Sequence, residues 1–197
     1  MAFLDHMKKR RSIYSIGKNV ALQQSEVEQL IQDVVRESPS SFNSQTSRVV
    51  ILFEESHHKF WEIVRETLRK MVPADAFENT NKKLNGFAAG YATVLFYEDQ
   101  AVVKSMQEQF ALYADNFPVW SEHSSAIAQY AVWTALAEHN IGASLQHYNP
   151  IIDEEVAATY SIPDHWKLRA QLVLGSIEAP AGEKAYMDDN LRFKTFK

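Results

Sequence analysis

Three runs of β-branched and aromatic residues, separated by stretches with helical periodicity, limit the folds open to this chain. The runs are RVVILFE at 48–54, YATVLFYE at 91–98 and KLRAQLVLGSI at 167–177. Their composition and length are typical of β-strands. Helices come first, followed by a strand, a helix, a strand, a long helical block and a last strand. This order predicts an α+β fold in which helices flank a small sheet.

Apolar residues three and four positions apart predict the helices around these strands. The predicted helices cover residues 2–10, 22–38, 56–71, 75–89, 121–140 and 153–160. Ser25 and Glu28 have the spacing of a capping box for the second helix, and Gly142 is predicted to cap the C-terminus of the fifth. The pattern assigns neither the aromatic-rich stretch 99–120 nor ASLQHY at 143–148, which suits a short strand or an extended loop.

The composition is that of an ordinary globular protein, and a single domain spanning 1–197 is expected. Hydrophobic residues make up 46% of the chain, charged residues 23%, and the net charge is −5. This balance favours a packed core and argues against nucleic acid or an anionic membrane as a partner. The longest apolar runs, such as 49–53, are too short to span a bilayer. The segment MAFLDHMKKRRS lacks the order of a signal peptide, so a cytoplasmic protein is expected.

Several kinds of catalytic site are excluded by missing residues or motifs. The chain has no cysteine, which excludes disulfides, thiolate metal sites and a cysteine nucleophile. It has no G-x-G-x-x-G, Walker or G-x-S-x-G motif, and its histidines lack metal-ligand spacing. Neither a metal nor a catalytic side chain is predicted. His147 is either a packed loop residue or a group that faces a ligand.

The segment SPSSFNSQ at 38–45 carries more hydroxyls and amides than a loop before a strand requires. Pro39 ends the preceding helix, and the serines satisfy free backbone groups, which accounts for part of the segment. Neither role accounts for Asn43 together with Gln45. Each amide offers donors and an acceptor, so the pair is suited to the edge of a flat heterocycle.

Basic residues lie near both ends of the chain. RRS at 10–12 is either the solvated end of a helix or a site for phosphate oxygens. The tail LRFKTFK at 191–197 is either a disordered basic segment or a segment that docks. Its two phenylalanines favour docking.

Together, RRS after the first helix, SPSSFNSQ before the first long strand and R-x-K near the C-terminus make the chain resemble the nitroreductase family of FMN-dependent enzymes. The resemblance spans nearly the whole chain, and SLQHYNP at 144–150 is similar to the subgroup with fungal fatty-acid-regulation and hydroxamate-reducing members. It implies a central, mostly antiparallel sheet and an intertwined homodimer with two FMN sites at its interface. It also implies a ping-pong reaction: NADH or NADPH donates hydride to flavin N5, and a small-molecule acceptor then occupies the same pocket.

The resemblance assigns cofactor contacts to three groups of residues. The FMN phosphate would be held by Arg10, Arg11, Ser12, Arg192 and Lys194. The ribityl chain and isoalloxazine would be lined by Pro39, Ser40, Ser41 and Asn43, with Gln45 nearby, and the other face of the ring by Ser144, Leu145, Gln146 and His147. A cluster of cations suits a phosphomonoester with nearly two negative charges.

The stretch 99–120 is where members of this family vary the roof of the pocket. Here it carries Phe110, Tyr113, Phe117 and Trp120, which form either a pocket for flat acceptors such as nitroaromatics and quinones or part of the helix-packing core. SLQHY replaces a glutamate–glycine pair of better-known members, and no residue pattern chooses between NADH and NADPH. Two other functions stay open: a flavin-binding regulatory or storage protein with little turnover, and a cofactor-free interaction module.

Overall fold

The computed structural model of the chain describes residues 2–197, which form helices α1–α8 and strands β1–β5. In chain order the elements are α1 (Phe3–Lys9), β1 (Ile16–Gly17), α2 (Gln24–Glu37), β2 (Ser47–Phe53), α3 (Glu54–Arg69), α4 (Phe77–Ala88), β3 (Ala92–Asp99), α5 (Gln100–Gln109), α6 (Phe117–Glu138), β4 (Ile141–Gln146), α7 (Asp153–Tyr160), β5 (Trp166–Ile177) and α8 (Asp189–Arg192). Short 3-10 turns cover Ser41–Asn43 and Ala111–Asn116. The α+β fold expected from the sequence is confirmed.

The five strands form one antiparallel sheet. β5 pairs with β4, β3 and the short β1, and β3 also pairs with β2. Every residue of β3 is buried, because this strand has neighbours on both edges and helices on both faces. Within the described residues, β2 pairs with β3 alone, so its outer edge carries unpaired backbone groups.

Alternate residues of the sheet face two separate cores. Val94 and Phe96 of β3 pack with side chains of α2 and α6, such as Ile31 and Leu136. The residues between them face the other way and pack against α3, α4 and α7, where the largest buried side chain is Trp61. Burying an aliphatic or aromatic side chain contributes roughly 1.5–3 kcal/mol. Within residues 2–197, no helix has the length and apolar character needed to cross a bilayer.

The predicted cap of α2 is wrong. The helix begins at Gln24, ahead of the predicted cap Ser25, and Glu26 supplies the capping carboxylate. That carboxylate accepts the backbone N–H of Gln23 at 2.7 Å. The apolar periodicity located the helix, but several polar residues in a row left its first residue ambiguous.

The prediction that Gly142 caps the C-terminus of α6 is wrong, because Gly142 lies inside β4. A Cβ at this position would come within 2.9 Å of the side chains of Ile13 and Ile177. The glycine is therefore required for close packing rather than for a helix end. The left-handed residue after α6 is Asn140, with φ 58°, a conformation that asparagine tolerates.

The stretch 99–120, unassigned from the sequence, contains α5, a 3-10 turn and the start of α6. Pro118 does not break a helix. It lies in the first turn of α6, where its missing N–H has no intrahelical partner to lose.

Candidate functional site

The RRS segment follows α1 and runs beside β4. Ser12 forms a parallel bridge with Ala143, and the backbone N–H of Ile13 donates to the carbonyl of Ala143 at 2.9 Å. The fold therefore brings the basic residues at 10–12 next to the segment 144–147. The two segments are distant in sequence, and both were predicted to contact the cofactor.

Arg10 is held against the aromatic face of α6. Its guanidinium carbon lies 4.4 Å from the ring centroid of Trp133 and 5.9 Å from that of Tyr130. Its Nε atom is buried and has no hydrogen-bond partner among residues 2–197. A buried, charged donor without an acceptor is costly. Arg10 is therefore suited to an oxygen-rich anion that arrives from outside the chain.

Arg10 lines a cleft of about 500 Å³ together with Arg11, Ser12 and Lys184. Arg11 Nη2 donates to the carbonyl of Gly182 at 2.7 Å, which fixes the segment after β5 as the far wall of the cleft. Among the described residues, no carboxylate lines it. Three cations and several hydroxyls around one cavity match the donor set that a phosphate needs. Lys184 was missed from the sequence because only the folding of the segment after β5 places it here.

The loop 38–45 satisfies part of its own backbone. Ser38 Oγ donates to the carbonyl of Val34 at 2.8 Å, and Ser40 Oγ accepts the N–H of Gln45 at 2.8 Å. Ser38 therefore satisfies a carbonyl at the end of α2, and Ser40 satisfies an N–H group of the loop. Both have the backbone-satisfying role that the sequence predicted for the serines of this segment. Ser41 begins the 3-10 turn, and Pro39 is exposed.

Three residues of this loop adopt left-handed backbone conformations. The φ angles are 56° at Phe42, 51° at Asn43 and 48° at Gln45. Such angles cost a residue with a Cβ roughly 1–2 kcal/mol, less for asparagine. Strain of this kind persists where the surroundings impose it and is often found at binding sites. Asn43 and Gln45 are both exposed, and Gln45 Nε2 donates to the carbonyl of Asn43 at 3.4 Å, which leaves the Asn43 amide and the Gln45 side-chain oxygen available to a ligand.

The segment 144–147 alternates in its exposure. Ser144 and Gln146 are buried, and Gln146 Nε2 donates to Ser144 Oγ at 3.1 Å. Leu145 is half-buried and His147 is exposed. Neighbouring side chains of a strand point to opposite faces. Thus Ser144 and Gln146 share one face of β4, and Leu145 points to the other.

The basic tail does not reach the cleft within one chain. Arg192 ends the short helix α8, and both Arg192 and Lys194 are exposed. In the part of the chain that the structure describes, neither side chain makes a hydrogen bond or an ion pair, and neither lines the cleft at 10–12. Phe193 and Phe196 are 63% and 90% exposed, so the tail is not docked on the rest of its own chain.

The four aromatic residues predicted for the pocket lie together. Ring centroids are 5.2 Å apart for Phe117 and Trp120, and 5.9 Å apart for Tyr113 and Trp120. Phe110 and Phe117 are 6.0 Å apart. Phe117 is 3% exposed, whereas Phe110 and Tyr113 are 37% and 42% exposed. The group therefore combines the two interpretations: one residue belongs to the core, and others reach solvent.

Phe42, which the sequence analysis missed, joins this aromatic group to the loop. Its ring centroid lies within 5.9 Å of all four others and is nearest to Phe110, at 4.7 Å. Its left-handed backbone is what carries the ring from the loop to the group. No spacing rule could have found it, because 42 is far from 110–120 in sequence.

A buried acid lies behind the loop. Glu98 in β3 is fully buried, and its Oε1 accepts a hydrogen bond from Ser47 Oγ at 2.5 Å. Burial raises the pKa of Glu98, although the bond from Ser47 opposes the shift. In the sequence, the signal for this buried acid was a glutamate that directly follows the apolar run at 94–97.

Known proteins match the chain over nearly its whole length. Residues 7–176 match the model of the nitroreductase family. The putative nitroreductase HBN1 of Saccharomyces cerevisiae is 32% identical over 191 residues, which are 96% of this chain and 95% of the yeast protein. The nitroreductase CinD from Lactococcus lactis in complex with nicotinic acid is 55% identical, covers 100% of both chains and superposes with a TM-score of 0.93. Its complex with 4-nitrophenol is 53% identical, with a TM-score of 0.91.

The family match includes the RRS segment, the loop 38–45 and nearly all of β5, and it ends before residues 179–184, which form the far wall of the cleft. The chain therefore belongs to the nitroreductase family and is an oxidoreductase.

Proposed function

We propose that the protein is an FMN-dependent oxidoreductase that passes hydride from NADH or NADPH to small aromatic acceptors. The observation that carries this proposal is Arg10, whose buried Nε has no partner among the described residues and which lines a cation-rich cleft. An arginine held in this way suits the phosphate end of a mononucleotide. The strained, amide-bearing loop 38–45 suits a flat heterocycle.

Separate segments of the chain would contact different parts of the cofactor. Arg10, Arg11 and Ser12 would bind the phosphate, and we add Lys184 to the residues named from the sequence. Pro39, Ser40, Ser41, Asn43 and Gln45 would line the ribityl chain and the ring edge, and the segment 144–147 would lie against the ring. A bound flavin supplies hydride transfer at its N5 atom, so the chain itself need not provide a nucleophile.

The acceptor class follows from the aromatic group and from relatives. Phe42, Phe110 and Tyr113 present partly exposed rings, and such rings favour flat, apolar ligands. The CinD structures contain chloramphenicol, nicotinic acid and 4-nitrophenol, all of which carry an aromatic ring. We therefore propose nitroaromatics, quinones or related flat molecules as acceptors.

We also propose that the functional unit is an intertwined homodimer. Large apolar side chains stay exposed on α1, α6 and the tail, including Phe3, Leu4, Val119, Ile127, Leu191 and Phe193. A surface of this kind is typical of an interface. A partner subunit would cover it and could bring its own tail cations towards the phosphate cleft. The absence of cysteine fits a reducing compartment, and a cytoplasmic location remains part of the proposal.

Anaerobic mixing of the FMN-loaded protein with NADH, and separately with NADPH, tests the enzymatic activity. Loss of the flavin absorbance within seconds, and its recovery on addition of 4-nitrophenol or a quinone, is the expected result. A yellow protein that neither donor bleaches would instead be a flavin-binding regulatory or storage protein. A protein that takes up no FMN would be a cofactor-free module. Sedimentation should give a dimer, and a monomer with tightly bound FMN would contradict the shared site.

A further inference from the structure

The loop 38–45 is tied to the rest of the fold through one arginine. Arg48, the second residue of β2, donates from Nη1 to the carbonyl of Gln45 at 2.6 Å. Its Nη2 donates to Asp99 Oδ2 at 2.9 Å. The two arms of one guanidinium thus join the last residue of the loop to the end of β3.

Asp99 is a firm anchor for this arrangement. It is 5% exposed, and its other oxygen, Oδ1, accepts the N–H groups of Ala101 and Val102 at 3.0 and 3.2 Å. The same carboxylate therefore begins α5 and holds Arg48. A charge-assisted hydrogen bond to a buried carboxylate that also caps a helix is among the stronger polar contacts in a protein.

The loop needs such an anchor because its backbone is strained. Gln45, whose carbonyl Arg48 binds, has a φ of 48°. Within the loop, its N–H is held by Ser40 Oγ at 2.8 Å. The peptide groups on both sides of Gln45 are therefore fixed, one by the loop itself and one by Arg48.

The loop and the aromatic group are joined at two places. Phe42 contacts the aromatic group directly, and Arg48 reaches Asp99, which caps the helix that leads to this group. A conformational change in the loop would therefore alter the aromatic residues proposed to bind the acceptor, and a change in those residues would alter the loop.

We propose that Arg48 is a positioning residue that, anchored on Asp99, holds the strained loop 38–45 in the conformation that binds the cofactor. It does not touch the cofactor in this proposal. It acts through Gln45 and through the end of β3. The inference rests on the proposed function for its ligand, but the rigidity of the loop can be measured without any ligand.

The test compares Arg48→Gln and Arg48→Lys with a matched control, Arg69→Gln. Arg69 is an exposed arginine of α3 whose ion pair is local, with Glu66 at 3.1 Å. Hydrogen exchange of the cofactor-free protein is followed by mass spectrometry for peptides covering 40–46. In R48Q the exchange there should rise about tenfold, because a charged hydrogen bond is lost. The exchange in R48K should lie between those of R48Q and the wild type, since lysine lacks the two-armed geometry, and R69Q should match the wild type.

The second readout is the FMN dissociation constant, measured by quenching of flavin fluorescence. R48Q should raise it about tenfold, and Asp99→Asn should add little to R48Q, since both changes break the same contact. Exchange in β3 and β5 reports whether the variants remain folded. If R48Q is unfolded, the comparison of R48K with the wild type tests the proposal. Unchanged loop exchange together with a dissociation constant within twofold of wild type would overturn the proposal. A wild-type protein that binds no FMN would refute the proposed function, while the exchange data would still decide the role of Arg48.

Discussion

Arg10 and Trp133 are in cation–π contact, with the guanidinium carbon 4.4 Å from the ring centroid. Trp133 Nε1 in turn donates to the carbonyl of Ala143 at 3.2 Å, the same carbonyl that accepts the N–H of Ile13. Trp133 on α6 thus orients Arg10, the residue proposed to bind the phosphate, and also donates a hydrogen bond to β4. The first prediction depends on this relationship.

Replacing Trp133 should weaken FMN binding although Trp133 itself does not line the cleft. Trp133→Ala removes a contact worth about 0.5–2 kcal/mol, so the dissociation constant should rise by roughly 2- to 30-fold. Trp133→Phe keeps a ring face and should lose less. Titration of cofactor-free protein with FMN gives the comparison. Equal affinities for the alanine variant and the wild type would show that Arg10 does not depend on the Trp133 ring for its orientation.

Phe42 should influence aromatic acceptors selectively. Phe42→Ala removes four ring contacts of roughly 0.5–1.5 kcal/mol each, and the KM for 4-nitrophenol should rise severalfold or more. The KM for ferricyanide, which has no ring, should stay within twofold. Leu112→Ala is the control, since Leu112 is an apolar side chain of the same stretch but is 85% exposed. Parallel changes with both acceptors would assign Phe42 a structural role only.

His57 should make the protein less stable in mild acid. The ring is 1% exposed, lies 2.8 Å from Thr93 Oγ1 through Nδ1 and 3.3 Å from the carbonyl of Ala88 through Nε2. Burial lowers the pKa of His57 from 6.5 to about 4. The unfolded chain therefore binds the extra proton first as the pH falls below 6.5, and stability decreases down to about pH 4.

Urea unfolding at pH 7 and pH 5 measures this effect. The free energy of unfolding should be about 2 kcal/mol lower at pH 5 because of His57 alone. His57→Gln should reduce that difference, whereas a change at the exposed neighbour, His58→Gln, should leave most of it, because burial rather than the charge of His58 is the main cause of the lowered pKa. If both variants keep the wild-type dependence on pH, His57 is not its source.

The fold could be predicted from the sequence where periodicity is strong and local. The three long strands and the main helices lie within a few residues of their predicted positions. β1 was missed because two residues carry no pattern. β4 stayed ambiguous because Gly142 and Ser144 are weak strand formers, and only pairing with β5 makes the segment a strand.

The candidate site could be predicted in part. RRS and SPSSFNSQ are continuous in sequence, so a motif could identify them. Phe42, Lys184 and Trp133 matter through contacts between distant segments, which spacing cannot reveal. Arg192 and Lys194 stay predictions, because their proposed contact lies across a subunit boundary.

Arg10 and Arg11 are proposed to bind the phosphate of FMN, and a single titration decides whether they do. The FMN dissociation constant is measured for the wild type, for Arg10→Ala with Arg11→Ala, and for Lys8→Ala with Lys9→Ala. The second pair carries the same charge in the same basic run but does not line the cleft. The affinity should fall by about 100-fold or more for the arginine pair, because two charge-assisted contacts are lost, and should hardly change for the lysine pair. Wild-type affinity in the arginine variant, or an equal loss in both, would contradict it.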